Sequence, residues 1–217
     1  MADAAVTSTY HETRFKGERK RDILWRTLWR CYFRHRTPVG GCVLDLGAGY
    51  GQFINNVEAR RRIAVDAWPG FAGHLADGVE AIVGDVADLS AIEDGAVDYA
   101  FASNVFEHLP QSRVALALTA LKRVLSKDGT LTILQPNYAY AYREYFDDYT
   151  HVSIWSHVSL ADFLEANGFD VVECRPRFLP LTIKSRLPVW PILIEAYLAS
   201  PIKPLAKQML IVARPRR

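Results

Sequence analysis

The chain has 217 residues, 50% of them hydrophobic and 23% charged, with a formal net charge of +2. That length carries one α/β domain with a core of its own, and the composition is that of a folded rather than a disordered chain. So small a charge gives no case for a nucleic-acid partner.

Cys31, Cys42 and Cys174 have neither disulfide-framework nor metal-ligand spacing, and read as small core residues of a cytoplasmic protein. Residues 1–10 are polar and lack the apolar centre of a signal peptide. No run reaches the roughly 20 apolar residues of a transmembrane helix.

The first predicted element is a helix over about residues 17–36, where Ile23, Leu24, Leu28, Cys31 and Tyr32 recur at helical spacing and Trp25, Trp29 and Phe33 form a second stripe. It is expected either to pack on a sheet edge or to serve as a lid, with Tyr10, Phe15 or Arg19 reaching a ligand. Pro38-Val39-Gly40-Gly41 ends it. Strands are expected at 42–46, 63–65, 81–84, 97–102, 130–135, 169–174 and 209–213. Helices are expected at 51–59, 112–125 and 160–166, the last closed by Asn167-Gly168. Alternation of this kind implies a doubly wound, mostly parallel, Rossmann-like seven-stranded sheet with helices on both faces. Ligands of such sheets bind beyond the carboxyl ends of the strands, where Asp66, Asp85 and Asn104 stand. Residues 1–38 form an amino-terminal extension, 40–175 a cofactor-binding core and 176–217 a carboxyl-terminal extension with the last strand.

The stretch Cys42-Val43-Leu44-Asp45-Leu46-Gly47-Ala48-Gly49-Tyr50-Gly51-Gln52 reads as a strand breaking into a glycine-rich turn. It departs from the dinucleotide loop in two ways. Gln52 stands where a third glycine is needed, and Asp45 would repel a pyrophosphate while suiting a ligand with positive charge. Asp66 follows about 20 residues on, where a carboxylate can accept both ribose hydroxyls. Ala67 and Trp68 come next, the indole being a candidate adenine stack or a plain surface aromatic.

With acid-x-Gly-x-Gly-x-Gly at the loop, Asp66, Asp85 and the Asn104-Val105-Phe106-Glu107-His108-Leu109-Pro110 segment, the chain resembles the class I S-adenosylmethionine-dependent methyltransferases. The resemblance spans about residues 40–175. It implies that the loop (Gly47, Ala48, Gly49, Gly51), Asp45, Asp66 and Asn104 bind S-adenosylmethionine, with S-adenosylhomocysteine as product. It also implies that Asp85 accepts the adenine amino group and the Val86 amide meets the ring. His108 is a candidate base or a loop-holding residue.

Beyond the fifth strand, residues 135–151 carry five tyrosines, Asp147, Asp148 and His151. Tyrosine with carboxylate suits a polyhydroxylated acceptor. Tyr138, Tyr142 and Tyr149 are candidate substrate contacts and His151 the first candidate base, oriented by Asp147 or Asp148. The alternatives are a mixed surface helix, a histidine that ties the insert down, and a divalent cation such as Mg²⁺ near Asp147 and Asp148.

The segments Gly49–Asn56, Ala59–Arg62 and Arg177–Pro188 further resemble small bacterial methyltransferases associated with surface-polysaccharide assembly, which implies a sugar hydroxyl acceptor. A small natural product or quinone-like acceptor is the alternative. Nucleic acid is not expected, because no base-flipping motif is present. Arg177, Lys184 and Arg186 are candidate anion contacts. The basic tail, beside the apolar 190–198 stretch, reads as a solvated helix capping the sheet or as a peripheral contact with anionic lipid. The sequence does not fix the oligomeric state.

Overall fold

The computed structural model describes residues 18–180 and 189–217. Seven strands form one sheet: β1 (Cys42–Leu46), β2 (Arg61–Asp66), β3 (Val79–Val83), β4 (Val97–Ser103), β5 (Leu125–Pro136), β6 (Phe169–Pro180) and β7 (Ala206–Pro215), in the order β3-β2-β1-β4-β5-β7-β6. The first five pair in parallel and β7 runs antiparallel to both β5 and β6. The topological switch lies between β1 and β4, so a crevice opens at their carboxyl ends. This is the expected seven-stranded, mostly parallel α/β sheet.

Strand residues alternate between two cores. Leu44, Leu46, Ile63, Val65, Ala100, Ala102, Leu131 and Ile133 face α2 (Gln111–Val124), whose Val114, Ala117, Leu118 and Leu121 are buried, and α4 (His157–Ala166) with Leu160 and Leu164. Val43, Ala64, Tyr99, Phe101 and Leu134 face the opposite way, towards α1 (Glu18–Cys31) and the 3₁₀ turn Phe33–His35. Leu28, Trp29 and Phe33 are the buried apolar residues there, each worth about 1.5–3 kcal/mol of burial. The helix therefore lies across a sheet face, with Trp25 edge-on to Phe101 at 5.9 Å, and not at an edge. Tyr10, Phe15 and the side chain of Arg19, the expected lid contacts, lie outside the described residues.

Between β1 and β4, α-helices are fewer than expected. Residues 51–59 hold no α-helix. After the turns at Gly51–Phe53, one 3₁₀ turn (Ile54–Asn56) leads to extended Val57. The cause is side-chain competition with the helical ladder: Asn55 bridges the His74 carbonyl (2.8 Å) and the Ala76 amide (2.8 Å), and Asn56 returns to the Gln52 carbonyl. Likewise no α-helix joins β2 to β3 or β3 to β4, so helices do not alternate with every strand. Cys42 alone of the cysteines is buried. Cys174, on edge strand β6, is exposed, and Cys31 is half-buried. Strands β5, β6 and β7 are each longer than expected, because pairing of β5 with the start of β4 and of β7 with both β5 and β6 continues past the apolar runs.

The remaining helices are α3 (Tyr138–Ala141) and α5 (Pro191–Ala199). Ile194, Tyr197 and Leu198 of α5 pack against the core under α1, and Glu195 pairs with Arg30. Trp190, Ile192 and Leu193 stay exposed. No helix among the described residues is long and apolar enough to cross a membrane.

Candidate active site

The glycine loop is built by backbone. The Gly47 and Ala48 amides donate to the Val65 carbonyl (2.8 and 3.2 Å) and the Gly51 amide to the Ala48 carbonyl (2.8 Å), which ties the turn to the end of β2. Gly47 and Gly49 both have positive φ, +66° and +52°, but for different ends. A Cβ on Gly47 would lie 2.5 Å from Val105 Cγ2, so that glycine is required by packing. Around Gly49 no atom lies within 4 Å of such a Cβ. That open space is what a ligand approaching a backbone needs.

Two acids flank the loop. Asp66 is buried, and its carboxylate accepts the Gly49 amide (2.8 Å) and the Trp68 amide (2.8 Å). Each oxygen of a carboxylate can accept a further bond, so Asp66 both fixes the loop and retains capacity for ribose hydroxyls. Asp45 is buried on β1. Burial raises its carboxyl well above the usual range, the charge of Asp66 adds to this, and a bond from the Ile54 amide opposes it. A buried, anion-flanked carboxyl disfavours a diphosphate and favours a cationic ligand.

Ala67 is exposed and Trp68 half-buried. The indole packs with Tyr50 (5.3 Å) and His74 (5.5 Å). Tyr50, His74, Gln52, Asn55 and Asp22 line a hollow of about 190 Å³. Asp85 lies two residues past β3, where it accepts the Ala87 amide (2.8 Å) and pairs with Arg113 of α2. Val86 is buried in the core. Asn104, just past β4, adopts a left-handed φ of +53°. Its amide donates to the Leu134 carbonyl (2.8 Å), and its Oδ1 accepts from Gln208 (3.1 Å). A non-glycine residue held there stores roughly 1–3 kcal/mol of strain, a common mark of functional sites.

The acceptor side is built by side chains. His108 and His151 stand with ring centroids 4.8 Å apart. The Thr150 hydroxyl donates to Asp148 Oδ1 (2.6 Å) and lies 2.9 Å from His108 Nδ1. Having one hydrogen, already given to Asp148, the hydroxyl must accept from Nδ1–H. Asp148 thus orients His108 through Thr150, whereas the sequence placed it behind His151. Asp147 and Asp148 do not join His151 as a donor set. Among the described residues the histidine, cysteine and acidic group that converges is Glu107, His108 and His151. That group includes neither Asp147 nor Asp148, beside which the sequence allowed a divalent cation as an alternative.

Glu107 is the residue that sequence reasoning missed. It is fully buried, and neither side-chain oxygen has a hydrogen-bond partner. Burial pushes its carboxyl up to about 8. The available signal was an acid inside the apolar run 105–109. Its carbonyl accepts the Val152 (2.9 Å) and Ser153 (3.1 Å) amides, docking the acceptor segment on the end of β4. Asn137, also missed, is fully buried. It caps α3 and binds the Pro176 carbonyl (2.8 Å) and His157 Nδ1 (3.1 Å).

Of the tyrosines, Tyr145 is buried and donates to the Ser153 carbonyl (2.7 Å). Tyr138 is half-buried, while Tyr142 and Tyr149 are exposed. The insert is a four-residue helix plus a 3₁₀ turn, not a single surface helix. Arg177 stacks on Tyr140 at 5.1 Å. Lys184 and Arg186 lie outside the described residues.

A family model described as a methyltransferase domain matches residues 15–174. No curated protein matches the chain. Among solved structures, the chain is similar to one from the complex of the Haloferax volcanii Trm112 methyltransferase activator with a methyltransferase (TM-score 0.67, 18% identity, covering 93% of this chain and 95% of that one). It is also similar to a SAM-dependent methyltransferase from Archaeoglobus fulgidus (TM-score 0.65, 21% identity, 88% and 93% covered). A third is the geranyl diphosphate C-methyltransferase of Streptomyces coelicolor, in complex with Mg²⁺, geranyl diphosphate and S-adenosylhomocysteine (TM-score 0.59, 14% identity, 84% and 74% covered). At these identities the likeness is one of fold. With the family match spanning most of the chain, the protein belongs to the methyltransferase-domain family and is a SAM-dependent enzyme of the class I fold.

Proposed function

We propose that the enzyme transfers the methyl group of S-adenosylmethionine to a hydroxyl of a sugar, free or within a glycan. The cofactor supplies a methyl group on a sulfonium. In this chain Gly49 leaves the backbone open to it, Asp66 accepts its ribose hydroxyls, Asp45 is a buried acid whose ionised form a nearby positive charge would favour, and Asp85, Val86 and Trp68 border the adenine. The observation that carries the acceptor half is the imidazole pair of His108 and His151, oriented from Asp148 through Thr150, in the segment that also carries exposed Tyr142 and Tyr149. Aromatic faces suit sugar rings, and a sugar hydroxyl is a poor nucleophile whose proton must be received as the methyl group arrives. His151 is the residue assigned to the deprotonating cluster, with Asp148 acting through His108.

A second reading has its own observation. Phe146, Val152 and Ile154, in the same segment as His151, are 55%, 61% and 48% exposed, which favours a small apolar natural product or quinone-like acceptor. Release of S-adenosylhomocysteine in the presence of monosaccharides, glycans and hydroxylated aromatics decides between them. The sugar reading expects turnover, and a product heavier by one methyl, with a saccharide. Turnover confined to aromatic acceptors overturns it.

A further inference from the structure

We propose that Glu107, His108 and His151 bind one divalent transition-metal ion of the zinc, cobalt or manganese class, on the acceptor side of the glycine loop. One ligand atom from each residue lies within 4.8 Å of the others. His108 Nε2 stands 4.0 Å from Glu107 Oε1. A zinc ion with ligands at about 2.0–2.2 Å holds them roughly 3–3.5 Å apart, so side-chain rotations that close the group by about 1 Å complete the set.

Three features distinguish this group from an incidental cluster. First, Glu107 is fully buried with both oxygens unpartnered, and a buried polar group so placed normally has a compensating partner. Second, His108 is fixed in the tautomer a metal needs. Because Nδ1–H donates to Thr150, whose own hydrogen goes to Asp148, Nε2 carries the lone pair and faces Glu107. This is the arrangement in which an outer carboxylate orients a ligating imidazole, here through a threonine. Third, at 4.0 Å His108 Nε2 is too far away to satisfy the Glu107 carboxyl by a hydrogen bond.

Two imidazoles and one carboxylate favour zinc, cobalt, manganese or iron over magnesium or calcium. They also leave coordination positions open on the side where His108 and His151 are partly exposed. Gly47 packs against Val105, two residues before Glu107, so the site adjoins the cofactor loop. Ion binding is independent of the acceptor named above, and only its use rests on that reading: an ion there lowers the pKa of a coordinated hydroxyl, and the imidazoles then act through the ion rather than as a free base.

The test uses full-length protein freed of any affinity tag and stripped with chelator. It is titrated with Co²⁺ followed by visible absorption, and with Zn²⁺ by calorimetry. The expected result is one ion per chain at micromolar affinity or tighter and a higher Tm with Zn²⁺. Glu107→Gln should weaken the ion by more than the roughly 10- to 100-fold that loss of an outer-shell partner costs, while S-adenosylhomocysteine affinity stays within about twofold. Asp147→Asn should bind the ion as wild type does. If His151→Ala proves misfolded by circular dichroism, Glu107→Gln and His151→Asn decide. Wild-type affinity no better than millimolar, or undiminished binding in Glu107→Gln, overturns the proposal. Metal binding without saccharide turnover would sink the sugar reading and leave the metal site standing.

Discussion

At the glycine loop, backbone holds backbone: the Gly47, Ala48 and Gly51 amides are spent on the Val65 and Ala48 carbonyls, and one carboxylate, Asp66, locks the turn. In the acceptor segment side chains do this work. Asp148 holds Thr150, Thr150 holds His108, and Glu107 lies buried behind them. The first region depends on conformations that glycine permits, and it tolerates no change of residue type at its tight positions. The second depends on protonation and tautomer, so pH and single polar substitutions should govern it. Cofactor affinity therefore belongs to the loop, and turnover and the pH dependence of both activity and stability to the acceptor segment.

The largest break in that comparison is expected at His151. His151→Ala should lower turnover by roughly 10²–10⁴-fold, the usual worth of a positioned proton acceptor, with cofactor affinity within about twofold. A parallel loss of affinity, measured by calorimetry, would place His151 in the cofactor site. Next is Glu107. Burial raises its folded-state pKa from the ordinary 4.5 to about 8. The stability it contributes is complete below pH about 4.5 and is lost as pH climbs through about 8. At about 1.4 kcal/mol per unit, several kcal/mol are at stake. In chelator, wild-type Tm should fall more between pH 5 and pH 9 than that of Glu107→Gln. Equal falls would show that the carboxyl is not desolvated.

Smaller effects sharpen the loop itself. Gly47→Ala forces a Cβ to within 2.5 Å of Val105 at a positive φ and should cost roughly 1–3 kcal/mol of stability by denaturant unfolding. Gly49→Ala meets no atom within 4 Å and should cost about 1 kcal/mol for its φ alone, with its main effect on cofactor affinity. If both variants lose stability equally, the space beside Gly49 is not the ligand's.

How much of this was legible follows from the same contrast. A strand, alternating glycines and a later acid are local signals, so the loop, Asp66 and the seven strands could be read directly. The short β1–β2 connection could not, because Asn55 spends its side chain on residues 74 and 76, far along the chain. Nor could the Asp148–Thr150–His108 chain, which joins residues 42 positions apart through a threonine that carries no motif. Asp66 was expected to accept the ribose hydroxyls of the cofactor. Its two backbone bonds show that it also braces the loop, so its loss should touch the fold as well.

The division of labour is tested most directly by S-adenosylhomocysteine affinity, measured by calorimetry on wild type, Asp66→Ala and His151→Ala under one buffer condition. The account predicts a loss of about a hundredfold or more for Asp66→Ala, counting a bidentate charge-assisted contact at roughly 3 kcal/mol, and less than about twofold for His151→Ala. Unchanged affinity in Asp66→Ala, or the larger loss in His151→Ala, would contradict it.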